Sequence, residues 1–89
     1  MMNDQEQYIR DNISSIAEEA FPDNIGNEWQ IHNIIEHPKG IEVEVEPRPD
    51  NIGYSRFRFI LEFKTPVEPI ITYCYFLDET GEWDLLFTA

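Results

Sequence analysis

A chain of 89 residues with 42% hydrophobic and 13% aromatic side chains is too apolar for disorder and too short for two cores, so one domain over residues 1–89 is expected. Eighteen Asp and Glu against six Lys and Arg leave a formal charge of −12. That balance argues against nucleic acid or anionic membrane as partners, since both are held through Lys and Arg. No run of about eighteen apolar residues and no export-type amino terminus is present, and the expected location is the cytoplasm.

Tyr8, Ile9, Ile13, Ile16, Ala17 and Ala20 recur at helical spacing behind Asn3 and Asp4, both good N-cap residues. They predict an amphipathic helix that Pro22 ends near Phe21. The pentapeptide PDNIG follows at 22–26. EWQIHNIIEHPKGIEVEVEPR then predicts a hairpin turned at HPKG, with Trp29, Ile31 and Ile35 sharing a face of its first strand. PDNIG recurs at 49–53, before YSRFRFILEF. That stretch predicts a strand with Phe57, Phe59, Leu61 and Phe63 inward and Arg56, Arg58, Ile60 and Glu62 outward. KTPVEP is a connection, IITYCYFL a fourth strand, DETG a turn with Gly81 placed for positive φ, and EWDLLFTA a fifth strand. The expected fold class is α+β in the order αβββββ: one N-terminal helix packed on a five-stranded antiparallel meander, because short connections pair successive strands.

The two PDNIG copies do not mark a duplicated unit. Aligned without gaps, Asn27–Arg48 and Tyr54–Tyr75 share no identical residue. Each residue type has a turn reason instead: Pro fixes φ, Asp and Asn bond nearby backbone, Ile plugs the edge of the core, and Gly26 or Gly53 takes positive φ. The meander gathers Asp23, Asn24, Asp50, Asn51, Asp78, Glu79 and Glu82 at one end of the sheet, joined by Glu18 and Glu19 from the helix terminus. His37, Lys39 and Lys64 fall at the other end. The acidic end, with Asp23, Asp50, Asp78 and Glu79 as its candidate residues, suits solvated turns or a basic partner. A cation is disfavoured because PDNIG lacks the alternating oxygen spacing of a calcium loop.

No metal site, cofactor or enzymatic activity is expected. His32 and His37 have no second histidine or cysteine at ligand spacing, and no nucleophile, phosphate-loop or dinucleotide motif occurs. His32 is expected to pair with a glutamate of the second strand. Cys74, the single cysteine, sits in an apolar run and reads as a buried inert thiol. Glu42, Glu44 and Glu46 lie beside Arg56 and Arg58 either as a cross-strand charge lattice or as a row imitating DNA phosphates.

Strands four and five carry apolar residues on both faces, whereas one helix covers one face. Either the sheet curls over the rest or another surface does. Tyr73, Tyr75, Leu86 and Phe87 are therefore the candidate partner interface, for a protein partner or for self-association as a homodimer. The expected function is a non-catalytic protein–protein interaction or regulatory module. The alternative is an acidic inhibitor, DNA-mimic or immunity-type protein that neutralises a basic nucleic-acid-binding partner. A small ligand between helix and sheet has only the abundance of aromatics in its favour, which core packing explains equally well.

Overall fold

Ile9, Ile13, Ile16 and Ala17 all reach the core from one face of helix α1 (Met2–Ala20), as their spacing requires. The computed structural model describes residues 2–89. Asn3 and Asp4 lie inside the helix and not at its cap; Asp4 occupies the first turn, where the helix dipole favours a negative charge. Asn12 departs from helical geometry at φ −128°, ψ 19°, and its Nδ2 donates to the Tyr8 carbonyl at 3.0 Å. A short amide side chain that bonds the preceding turn is a recognised cause of such a kink. A turn of 3-10 helix, Pro22–Asn24, ends the segment where proline is expected to end it.

The sheet is open and antiparallel, with strands β1 (Glu28–His37), β2 (Gly40–Arg48), β3 (Phe57–Phe63), β4 (Pro69–Leu77) and β5 (Trp83–Thr88) side by side in chain order. β1 and β5 are its edges. The α+β meander read from the sequence is thus the fold observed. The helix packs mainly over β1, and its four apolar residues meet Trp29, Ile34, Val43, Val45, Phe57, Phe59, Leu61, Ile71 and Cys74. Phe57 and Phe59 are fully buried, and burying an aromatic or large aliphatic side chain contributes roughly 1.5–3 kcal/mol. Phe21 stacks on Trp29 at 5.7 Å and tilts against Phe57 at 4.8 Å, sealing the core where the helix ends. The Trp29 indole N–H is buried there without an acceptor among the described residues.

Two details of β1 and β3 depart from the expected pattern of burial. The register of β1 against β2 shifts between Ile31 and Asn33, leaving His32 as the extra residue of a β-bulge. One added residue flips every later side chain, so Ile34 turns into the core while Ile35 is 42% exposed on the outer face. The expected trio of Trp29, Ile31 and Ile35 is corrected to Trp29, Ile31 and Ile34. Ile60 does project outward from β3, yet it is fully buried, flanked in register by Glu42 and Tyr73. The outer face has enough bulk of its own to bury one aliphatic side chain without the helix.

Gly40 follows the two-residue β1–β2 turn with φ +143°, and a Cβ there would overlap the Leu61 carbonyl on β3. That close approach explains the glycine.

Candidate functional site

The two pentapeptides touch. Asn24 Nδ2 donates to Asn51 Oδ1 at 3.2 Å, joining the equivalent residues of the two copies, and buried Asn27 Nδ2 donates to the same oxygen at 2.8 Å. Gly26 and Gly53 have φ of +100° and +102°, so turn geometry accounts for both glycines. The copies are not equivalent in packing: Ile52 rests against the core, whereas Ile25 is 73% exposed and plugs nothing.

The second loop and the β4–β5 turn border a cleft of about 550 Å³ lined by Asp50, Gly53, Tyr54, Ser55, Leu77, Asp78, Glu79 and Thr80. Asp50, Asp78 and Glu79 are thereby brought together, and Asp23 lies on the adjoining loop, tied in through its neighbour Asn24. Glu19 is elsewhere. It lines a cleft with Val67, Glu68, Pro69 and Ile70 at the start of β4, so its expected place at the acidic end is corrected. Asp78 organises the β4–β5 turn, because its Oδ1 accepts the Thr80 hydroxyl at 2.6 Å and the Thr80 and Glu82 backbone N–H groups, each at 2.9 Å. These bonds, the Thr80 hydroxyl first, hold its pKa below the usual carboxylate range. Among the described residues, no three His, Cys, Asp or Glu side chains converge as a metal-binding group.

On the face of the sheet away from the helix, every Lys and Arg of β2 and β3 and their flanks is engaged. Glu44 accepts from Arg56 at 2.8 Å and Arg58 at 3.2 Å, Glu46 from Arg48 at 3.3 Å, and Glu62 from Lys64 at 3.1 Å. His32 lies 2.9 Å from Glu46, the strand-two glutamate pairing expected for it, and this contact is the main cause of the lowered Glu46 pKa. The Glu row is therefore a cross-strand lattice whose field is largely cancelled. His37 Nδ1 accepts the Lys39 backbone N–H within the turn. Cys74 is fully buried, and desolvation pushes its thiol up to about 12.

Toward β5 the same face becomes apolar. Register pairs share a face, so Ile60 with Tyr73, Tyr75 with Leu85, and Leu77 with Trp83 form one surface. The Tyr73 and Tyr75 rings stack with centroids 6.4 Å apart. Two cations lie over its aromatics: Arg58 sits 4.0 Å from the Trp83 centroid and Lys39 4.7 Å from that of Tyr73, whose hydroxyl it also contacts at 2.9 Å. The Tyr73 hydroxyl raises the Lys39 pKa. Beyond this covered strip, Leu85 and Leu86 remain 44% and 36% exposed at the free edge.

The candidate interface residues thus separate. Tyr73 and Tyr75 lie on the outer face and Leu86 at the edge, in the register shift between β4 and β5. Phe87, opposite Cys74, packs against the core on the helix side. Of Trp83, Asp84 and Leu85, none of them a named candidate, Trp83 and Leu85 join this surface, whereas Asp84, opposite Phe76, lies on the helix side. The period-two pattern of Trp83 and Leu85 is the signal for these two, but in an apolar strand it is indistinguishable from ordinary core alternation. Comparison with protein-family models, with curated proteins and with solved structures finds no match to this chain.

Proposed function

We propose that this chain is a non-catalytic protein-binding module that docks through the outer face of β4 and β5. The observation that carries this reading is the band of Tyr73, Tyr75, Trp83 and Leu85 on the helix-free face, running out to exposed Leu85 and Leu86 at an open edge. Aromatic side chains beside an unpaired strand offer both apolar area and backbone hydrogen bonds, the two ingredients of strand-type recognition. Tyr75→Ser and Leu86→Ser are expected to reduce the yield of a co-purified partner from the native host at least tenfold while circular dichroism stays native. Unchanged yield and unchanged oligomeric mass in both folded variants would exclude the surface.

A second reading, an acidic inhibitor of a basic nucleic-acid-binding protein, is favoured by the segment from Thr65 to Ala89, which has five carboxylate side chains and no Lys or Arg. The arginine-bridged row on β2 lends it nothing. Salt separates the two by slope: a phosphate mimic held by many charge pairs loses roughly 10³-fold or more in affinity between 50 and 200 mM salt, and a dock that combines apolar contact with a few charge pairs loses far less.

A further inference from the structure

Building on the docking surface proposed above, we infer that β5 accepts an extended strand from a basic protein partner, with backbone pairing along its free edge and cations set against the carboxylates around it. The two edges of the sheet differ. β1 is overlaid by the helix, carries the bulge at His32, and exposes Glu28, Gln30, Asn33 and Glu36 beside a single apolar side chain, Ile35, features that blunt an edge against pairing. β5 exposes Leu85 and Leu86 and is flanked by no cation of its own segment.

Charge decides the occupant. From Thr65 onward the side chains of Glu68, Asp78, Glu79, Glu82 and Asp84 have no Lys or Arg among them, and the two nearby cations are already engaged, Arg58 over Trp83 and against Glu44 and Lys39 over Tyr73. A second copy would bring the same cation-free edge against itself, with a net charge of −12 on each side. A strand that alternates apolar residues with Lys or Arg meets no such opposition. Asp84 supplies a local exchange: its exposed carboxylate accepts the Leu85 backbone N–H at 2.8 Å. An incoming carbonyl takes over that donor, and the released carboxylate pairs with a partner cation.

The test uses the full chain, isotopically labelled, with three capped ten-residue peptides: alternating Val and Lys, the same with Glu for Lys, and the basic peptide interrupted by proline. At 50 mM salt the Val/Lys peptide is expected to slow amide exchange across residues 83–88 and to shift the Trp83 indole signal, with affinity at least tenfold above both other peptides. Asp84→Lys should weaken the Val/Lys peptide at least fivefold and improve the Val/Glu peptide. Equal affinity for the Lys and Glu peptides, protection at β1 in place of β5, or no binding would overturn the inference. So would a dimer whose β5 amides are protected without peptide, since a second copy would then be the occupant. If the peptides leave β5 untouched while Tyr75→Ser and Leu86→Ser still abolish native partner capture, the strand pairing fails and the docking surface stands.

Discussion

Asn51→Ala should be among the more damaging changes of a surface polar residue in this chain. Asn51 Oδ1 is the acceptor for both Asn24 Nδ2 and Asn27 Nδ2, at 3.2 and 2.8 Å, and Asn51 Nδ2 returns a longer bond to Asn27 Oδ1 at 3.4 Å. Asn27 is 8% exposed, and its one alternative acceptor, the Pro49 carbonyl, lies at 3.5 Å. Truncation of Asn51 thus leaves a buried amide poorly satisfied, at a cost of about 1–2 kcal/mol. In a domain of this size each kcal/mol lowers the melting temperature by about 4–8 °C. Asn51→Asp keeps both acceptor bonds and loses only the long one, so it should cost less than half as much. Urea unfolding followed by tryptophan fluorescence reads these values, with Asn27→Ala and the double variant closing a cycle. The expected coupling is at least about 0.5 kcal/mol. A cost below about 0.3 kcal/mol for Asn51→Ala, or strict additivity with Asn27→Ala, would show that the loops do not clasp one another.

Gly26→Ala and Gly53→Ala should each cost about 1–2 kcal/mol, because a Cβ meets open space and only the positive φ opposes it, whereas Gly40→Ala must separate β2 from β3 and should leave the chain largely unfolded by circular dichroism. Asp78 has a folded pKa below its ordinary value, so its contribution is present above about pH 4 and is lost as pH falls through the lowered value; Thr80→Val should move its carbon-detected titration upward toward the ordinary range. Cys74, pushed to about 12, should react with a thiol-specific disulfide reagent at pH 8 only as fast as the chain opens, and rapidly in urea. Millimolar calcium should leave the melting temperature unchanged, and a rise of several degrees that disappears in Asp23→Asn/Asp50→Asn would convert the loops into a cation site.

Helix, strand order and turn glycines are legible in the sequence because each is set by local rules: periodicity, proline and positive φ. The clasp between Asn24 and Asn51 is not, since a repeated pentapeptide gives no sign that its copies meet. The bulge at His32 is equally hidden, because an inserted residue has no composition signature and alternation in IHNII fits either phase. Ile60 takes the outward face that alternation assigns to it but not the exposure; burial on an outer face depends on what Glu42 and Tyr73 do across the register. Of the candidate interface, Tyr73, Tyr75 and Leu86 fall on or beside one surface, while Phe87 turns inward because the β4–β5 register shift alters the phase at Leu86.

The most direct test of the docking surface places a photoreactive benzophenone side chain at position 75 or 85 of the chain in its native host, with position 14, an exposed site on the helix, as the control. Irradiation at 75 and at 85 is predicted to give the same discrete adduct, and irradiation at 14 none. Adducts from position 14 with none from 75 or 85 would contradict a function carried by the outer face of β4 and β5.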